Sequence, residues 1–253
     1  MKIGILGLGL IGGSVYKKLL SLNKYAVIGV TQNSEKEEVD YSKLVECDIV
    51  FVCVPMNAAL ETLDKLNDIL TENTLVTDVC SLKEFLSHKT YNFRFLPSHP
   101  MAGSEKQGFE FSFAEMFEEA KWIFTPLKNN TENDINLLEK IINDLGATVV
   151  KMTAKEHDRA VALISNLPLV VSQALCMNIE NDEFAKLLAS SGFRDTTRLA
   201  MSNCEMANDM VTINRKNIDS AIKSFITCLE GMLGEDYIKH AERIKTFRKE
   251  LYK

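Results

Sequence analysis

The sequence carries no excess of positive charge. Its 29 Lys and Arg stand against 35 Asp and Glu, for a net charge of −6, and the pI is about 5.4. Binding to nucleic acid needs a basic footprint that displaces counterions, so that class is set aside. Histidine is scarce, with four residues in the chain. The six cysteines (Cys47, Cys53, Cys80, Cys176, Cys204 and Cys228) show no CxxC spacing and read as reduced residues of a cytoplasmic protein. No cluster has metal-ligand spacing. His157 and Asp158 are adjacent, and neighbours in sequence do not share a helix face, so no metal is expected. MKIGILG starts on a strand-like run, with no secretory leader expected. The most apolar stretch, 160–179, is interrupted by Ser165, Asn166, Pro168, Ser172 and Gln173. It reads as a buried helix rather than a membrane span.

An apolar content of 46% and a charged content of 25% over 253 residues suit one large or two modest globular domains. The first part alternates. Strands are predicted at 3–6, 26–30, 49–54, 75–78, 93–96, 122–125 and 148–151, with helices at 10–22, 57–70 and 133–145. The short link from 30 to 49 leaves room for a truncated helix over 41–47. Such alternation predicts βαβ units around a mainly parallel sheet. After Thr153 there is one proline, Pro168, and only helical periodicity. Leu163, Leu167, Val170 and Val171 would share one face, as would Ile218, Ile222, Phe225 and Ile226. We therefore expect an α/β protein: a Rossmann-type dinucleotide-binding domain over 1–152 and an all-helical domain over 153–253. The first long helix of that second domain is apolar nearly all round, which implies burial on several sides, a second subunit supplying part of the cover.

Gly7-Leu8-Gly9-Leu10-Ile11-Gly12 is a GxGxxG run between an apolar strand and an apolar helix, the context that gives the motif meaning. Gly7 allows the tight turn, Gly9 lets backbone approach a pyrophosphate, and Gly12 lets helix and strand pack closely. A carboxylate at the end of the second strand would favour NAD by binding the ribose 2′-OH. Here Thr31, Gln32, Asn33 and Ser34 stand there instead, with Lys36 near. The cofactor expectation leans to NADP, with NAD the alternative. Val54 and Pro55 end the third strand and would line the adenosine side, and Asp78 ends the fourth.

Two further segments follow strands. In Thr77-Asp78-Val79-Cys80-Ser81-Leu82-Lys83, Ser81 suits a helix N-cap, with Glu84 completing a capping box, and also suits a polar contact at the sheet's carboxyl end. In Ser98-His99-Pro100-Met101-Ala102-Gly103-Ser104-Glu105, a histidine precedes a stiff residue and a turn. GLGLIGGS, TDVCSLK, SHPMAGSEKQGF and SGFRDTTRLA, in this order, resemble the prephenate/arogenate dehydrogenase family of tyrosine biosynthesis.

The resemblance implies oxidative decarboxylation of prephenate to 4-hydroxyphenylpyruvate, or of arogenate to tyrosine, by a homodimer joined through its helical domains. It assigns His99 to the histidine that hydrogen-bonds the ring 4-hydroxyl and Ser81 to the serine that helps orient it. Arg198 matches the arginine that grips a substrate carboxylate, and Glu105, after Ser104, would sit at the entrance. Arg194, four residues before Arg198, would share its face on a helix. Many relatives carry histidines where this chain has Asn166 and Leu169, which leaves prephenate against arogenate open. No chorismate mutase segment or regulatory domain is expected. The residues suit the chemistry: a neutral imidazole can take the hydroxyl proton, and Arg grips a carboxylate through two parallel hydrogen bonds. His88 and His240 read as solvated. Another two-domain dehydrogenase of the β-hydroxyacid or pyrroline-carboxylate reductase type, or a dinucleotide sensor without turnover, are the rival readings. Neither predicts Ser81, His99 and Arg198 together.

Overall fold

The computed structural model describes residues 1–31, 39–104, 106–234 and 236–252. Five strands, β1 (Lys2–Leu6), β2 (Ala26–Val30), β3 (Ile49–Val52), β4 (Leu75–Asp78) and β5 (Arg94–Phe95), form a parallel sheet in the order β2-β1-β3-β4-β5. The central strands IVFV and LVTD are buried along their whole length, as expected for a parallel sheet covered on both faces. Ile3, Ile5, Ile49 and Phe51 point to one face, where they pack with Val15 and Leu19 of α1 (Leu10–Ser21) and Leu138, Ile141 and Ile142 of α3 (Glu132–Asp144). Leu6, Val50, Val52 and Val76 point to the other, against Ala59, Leu63 and Leu66 of α2 (Met56–Asn67). Each such side chain contributes roughly 1.5–3 kcal/mol by leaving water.

The sheet does not continue as one layer. β6 (Ser98–Pro100), β7 (Lys121–Phe124) and β8 (Thr148–Lys151) form a separate three-stranded sheet in which β6 runs antiparallel to β7. The strand β6 was not expected: three residues with a central histidine and a proline give no periodic signal. Pro100 is tolerated because β6 is an edge strand. The link over 41–47 is a 3-10 turn, Tyr41–Leu44.

Among the described residues every strand precedes Met152, and the remainder is helical. A capping box between Thr153 and Glu156 starts α4 (Ala154–Val161). A π turn (Ala162–Asn166) joins it to α5 (Leu167–Ile179). The π turn shifts the phase of the helix, so Leu163 is 43% exposed while Leu167 is buried, and the two do not share a face. α6 (Glu183–Leu188), α7 (Ser191–Thr196), a 3-10 turn (Arg198–Met201), α8 (Cys204–Ile213), α9 (Arg215–Met232) and α10 (Tyr237–Leu251) complete the chain. Val161, Leu169, Ala207 and Met210 join the core on the α2 side, so the helical half rests on that face of the sheet.

The segment 154–179 is long and apolar enough to cross a membrane by length and composition, and 33% of its most apolar window is buried within the chain. Expected burial on several sides is therefore not supplied by one copy of the chain: Ile164 and Met177 are exposed, as are Phe184, Leu187 and Leu188 of α6.

Candidate active site

Register places Leu6, Val30, Val52 and Asp78 in one row across four strands. The turns after these strands therefore share one edge, and β1 lies between β2 and β3, where the strand order reverses and ligands bind in such sheets. Gly7 turns at φ +94°, and a Cβ there would lie 2.5 Å from the Cys53 carbonyl oxygen. At Gly12 a Cβ would lie 2.0 Å from the Gly7 oxygen, so both glycines are needed by the protein itself. Gly9 is different: nothing lies within 4 Å of its would-be Cβ. It is the N-cap of α1, with no side-chain cap and no acid in the first turn. Open space before uncapped helix amides fits a dinucleotide pyrophosphate. Leu8 packs over the Cβ-less Gly29 of β2, and Leu10 and Ile11 pack against the α1 side of the core.

Thr31 is exposed directly after β2, while Gln32 lies outside the described residues. Pro55, exposed, is the N-cap of α2, and Val54 beside it is half-buried. The Ser81 hydroxyl donates to the sulfur of Met56, the first residue of α2, at 3.3 Å. It does not cap a helix. The short 3-10 turn Glu84–Leu86 starts later, and its free N–H groups are taken by another residue. The Asp78 carboxylate is fully buried and receives the Lys83 ammonium and the N–H groups of Cys80 and Ser98. A cofactor contact through that carboxylate does not fit this placement. Its three partners leave it a supporting role beneath the loop.

His99 sits at the centre of β6, half-buried, and its Nδ1 lies 2.9 Å from Nε2 of His157 in α4. His157 Nδ1 lies 2.7 Å from Asp158 Oδ1. The side chains of these two adjacent residues do meet. The Asp158 carboxylate also accepts from Lys83 N at 2.8 Å and Glu84 N at 2.9 Å, serving as the cap of that 3-10 turn. Asn214 steadies the backbone by donating to the Asp158 carbonyl oxygen at 2.9 Å and to Asn166 Oδ1 at 2.8 Å. An ionised carboxylate only accepts, so His157 carries its proton on Nδ1. Its Nε2 then accepts from the His99 Nδ1–H, and the His99 Nε2 keeps a free lone pair. Burial, the Lys83 cation and His157 hold the His99 imidazole well below its ordinary pKa, so it is neutral.

Beneath His99, Ser98 is locked in place. Its hydroxyl donates to the Asp78 carbonyl oxygen at 2.9 Å and accepts from Trp122 Nε1 at 2.8 Å. Lys83 was not assigned from sequence, whereas His157 and Asp158 read as the start of the long helix, within reach of the cleft. The Thr153–Glu156 capping box sets that pair in the first turns of α4. Asn166 and Leu169 are buried, turned into the helical core.

Arg198 is exposed at the start of the 3-10 turn, and Leu199 beside it packs on the α2-side core. Arg194 belongs to α7, which ends at Thr196, so the two arginines do not share one helix as expected. Arg194 is exposed, 3.6 Å from Asp195. Ser104 is exposed and accepts from Lys106 N at 3.1 Å, and Glu105 lies outside the described residues. His88 is exposed, whereas His240 in α10 is half-buried. A cavity of about 550 Å³ lined by Tyr91, Phe93, Leu127 and Lys155, among others, contains none of the expected site residues.

A glycine turn at a sheet's switch point, with a neutral histidine held beside the same edge, defines a two-domain nucleotide-binding dehydrogenase. Residues 21–151 match the model of the prephenate dehydrogenase nucleotide-binding domain and residues 153–251 that of the prephenate dehydrogenase dimerization domain. The chain belongs to the prephenate dehydrogenase family and is an oxidoreductase. It is 27% identical to prephenate dehydrogenase of Bacillus subtilis, over 95% of this chain and 68% of that protein. The crystal structure of Synechocystis arogenate dehydrogenase is 30% identical with a TM-score of 0.80, covering 98% of this chain and 95% of that one. That of Aquifex aeolicus prephenate dehydrogenase in complex with hydroxyphenyl propionate and NAD+ is 27% identical with a TM-score of 0.86, covering 99% and 98%. The β-hydroxyacid and sensor readings give way to this family.

Proposed function

We propose that the protein carries out the oxidative decarboxylation of prephenate to 4-hydroxyphenylpyruvate in tyrosine biosynthesis, with arogenate as the second reading. The observation that carries it is the free Nε2 lone pair of His99, fixed by the chain Asp158–His157–His99. A bound nicotinamide supplies the hydride acceptor. The glycine turn of Gly7, Gly9 and Gly12 and the α1 amides would hold the pyrophosphate. Val54 and Pro55 would line the adenosine side. Thr31 and Gln32 offer hydrogen bonds to a 2′-phosphate, which favours NADP over NAD. His99 Nε2 takes the 4-hydroxyl proton, and the proton's charge is shared toward His157 and Asp158. Ser81 orients the hydroxyl. Arg198 is the carboxylate anchor, with Arg194, Ser104 and Glu105 at the entrance. We assign the domains as 1–152 and 153–253, and the exposed apolar side chains of α5 and α6 to the interface of a cytoplasmic homodimer.

The test crosses prephenate and arogenate with NADP+ and NAD+, for the wild type and His99→Asn. Expected is turnover of prephenate by the wild type and a loss of roughly 10²–10⁴ in kcat for the variant, with nucleotide binding unchanged. Retained turnover in His99→Asn would overturn the role of His99. Turnover of arogenate alone would select the second reading.

A further inference from the structure

Lys83 is fully buried, yet nothing assigned to the reaction uses it. Its ammonium donates to the Asp78 carboxylate and, at 2.6 Å, to the carbonyl oxygen of Ser98, the residue before His99. Its backbone N–H donates to Asp158 Oδ1 at 2.8 Å, the same oxygen that receives His157 Nδ1. One residue thus grips the strand that carries His99 and the carboxylate that ends the histidine chain.

We infer that Lys83 is a positioning residue for proton transfer: through Ser98 and Asp158 it sets the distance and orientation between His99 and His157. This rests on the proposed role of His99. A buried pair of charges contributes little to stability over an apolar pair of the same shape. A merely structural lysine would hold Asp78 alone. The ammonium of this one also holds the strand that carries His99, while its main-chain N–H, which any residue here would keep, holds Asp158. The groups facing His99 are Lys83 from the turn after β4 and His157, with Asp158 behind it, from α4. Its partner across β7 is the apolar Ile123. The Asp78 charge is taken up by Lys83 itself. Nearness of the ammonium to His99 also disfavours a proton on the imidazole at rest.

The experiment uses Lys83→Met and the neutral pair Asp78→Asn/Lys83→Met, since the single change leaves a buried carboxylate uncompensated. Folding is read by circular dichroism, nucleotide binding by titration with NADPH or NADH, and kinetics over a pH series with prephenate. The double variant is expected to fold and to bind nucleotide within about twofold of the wild type, with kcat lower by about tenfold or more. The acidic limb of kcat/KM is expected to move to higher pH as the cation's influence on His99 is removed. A folded double variant with unchanged kcat and unchanged limb would overturn the proposal. So would loss of the fold in both variants, which would make Lys83 a folding element only. His99→Asn in the same assays separates the two claims: inactive His99→Asn beside a fully active double variant rejects Lys83 alone, whereas active His99→Asn rejects the underlying role of His99.

Discussion

His99 Nδ1 and His157 Nε2 lie 2.9 Å apart across the junction of the two halves of the chain, although 58 positions separate them. The contact sets which nitrogen of His99 is free, because Asp158 dictates the tautomer of His157. Asp158→Asn tests that logic. Its amide can donate to His157 Nδ1, which reverses both tautomers and places a hydrogen on His99 Nε2. Steady-state kinetics should show kcat lower by about 10² or more, with KM for nucleotide little changed. An Asp158→Asn enzyme with near-wild-type kcat would reject the tautomer argument.

The glycines of the first turn should separate into two kinds. Gly12→Ala forces a Cβ to 2.0 Å from the Gly7 oxygen, while Gly9→Ala meets no protein atom within 4 Å. Thermal melts should show Gly12→Ala destabilised by about 1–3 kcal/mol and Gly9→Ala close to wild type. Nucleotide titration should nonetheless show Gly9→Ala binding at least about tenfold more weakly, since its methyl group enters the space meant for pyrophosphate.

Arg198 is exposed in the single chain and makes no ion pair among the described residues. In the proposed role of carboxylate anchor it should mainly affect binding. Arg198→Ala is expected to raise KM for prephenate about tenfold or more, with Arg198→Lys recovering part of the loss because an ammonium lacks the planar fork. Unchanged KM in the alanine variant would move the anchor elsewhere.

The depressed pKa of His99 makes a statement about stability. In the unfolded chain the imidazole titrates near 6.5, whereas in the fold burial, Lys83 and His157 keep it neutral to lower pH. Below about pH 6.5 the unfolded state binds the extra proton, so stability falls with pH by up to about 1.4 kcal/mol per unit. Urea unfolding at pH 7, 6 and 5 should show that loss, and His99→Asn should flatten it. The Asp144 carboxylate, held low by Tyr25 and Lys24, loses its contribution only in more acidic solution, so it does not mask this window.

Much of the scaffold followed from local rules. Buried runs such as IVFV and LVTD, separated by amphipathic helices, can only stack as a covered parallel sheet. Gly7 and Gly12 announce a close backbone approach because a side chain at either would meet main-chain atoms, while Gly9 leaves open space before the helix amides. The strand carrying His99 was illegible, since three residues have no period and its pairing with Trp122 and Ile123 spans a loop. Ser81 looked like a cap from its spacing to Glu84, but the Asp158 carboxylate from α4 took that place.

The sequence by itself determined the sheet, the glycine turn and the motif residues Ser81, His99 and Arg198, because these depend on local conformation and residue type. The tertiary structure decided that His157 and Asp158 continue a hydrogen-bonded chain from His99, that Lys83 and Asp78 lie beneath it, and that Arg194 and Arg198 part company. The His99–His157 contact and the Asp158 cap arise only when the helical half docks on the sheet, Lys83 meets Asp78 and Ser98 through the folding of the loop after β4, and the arginines part where α7 ends; none of these leaves a periodic mark along a chain.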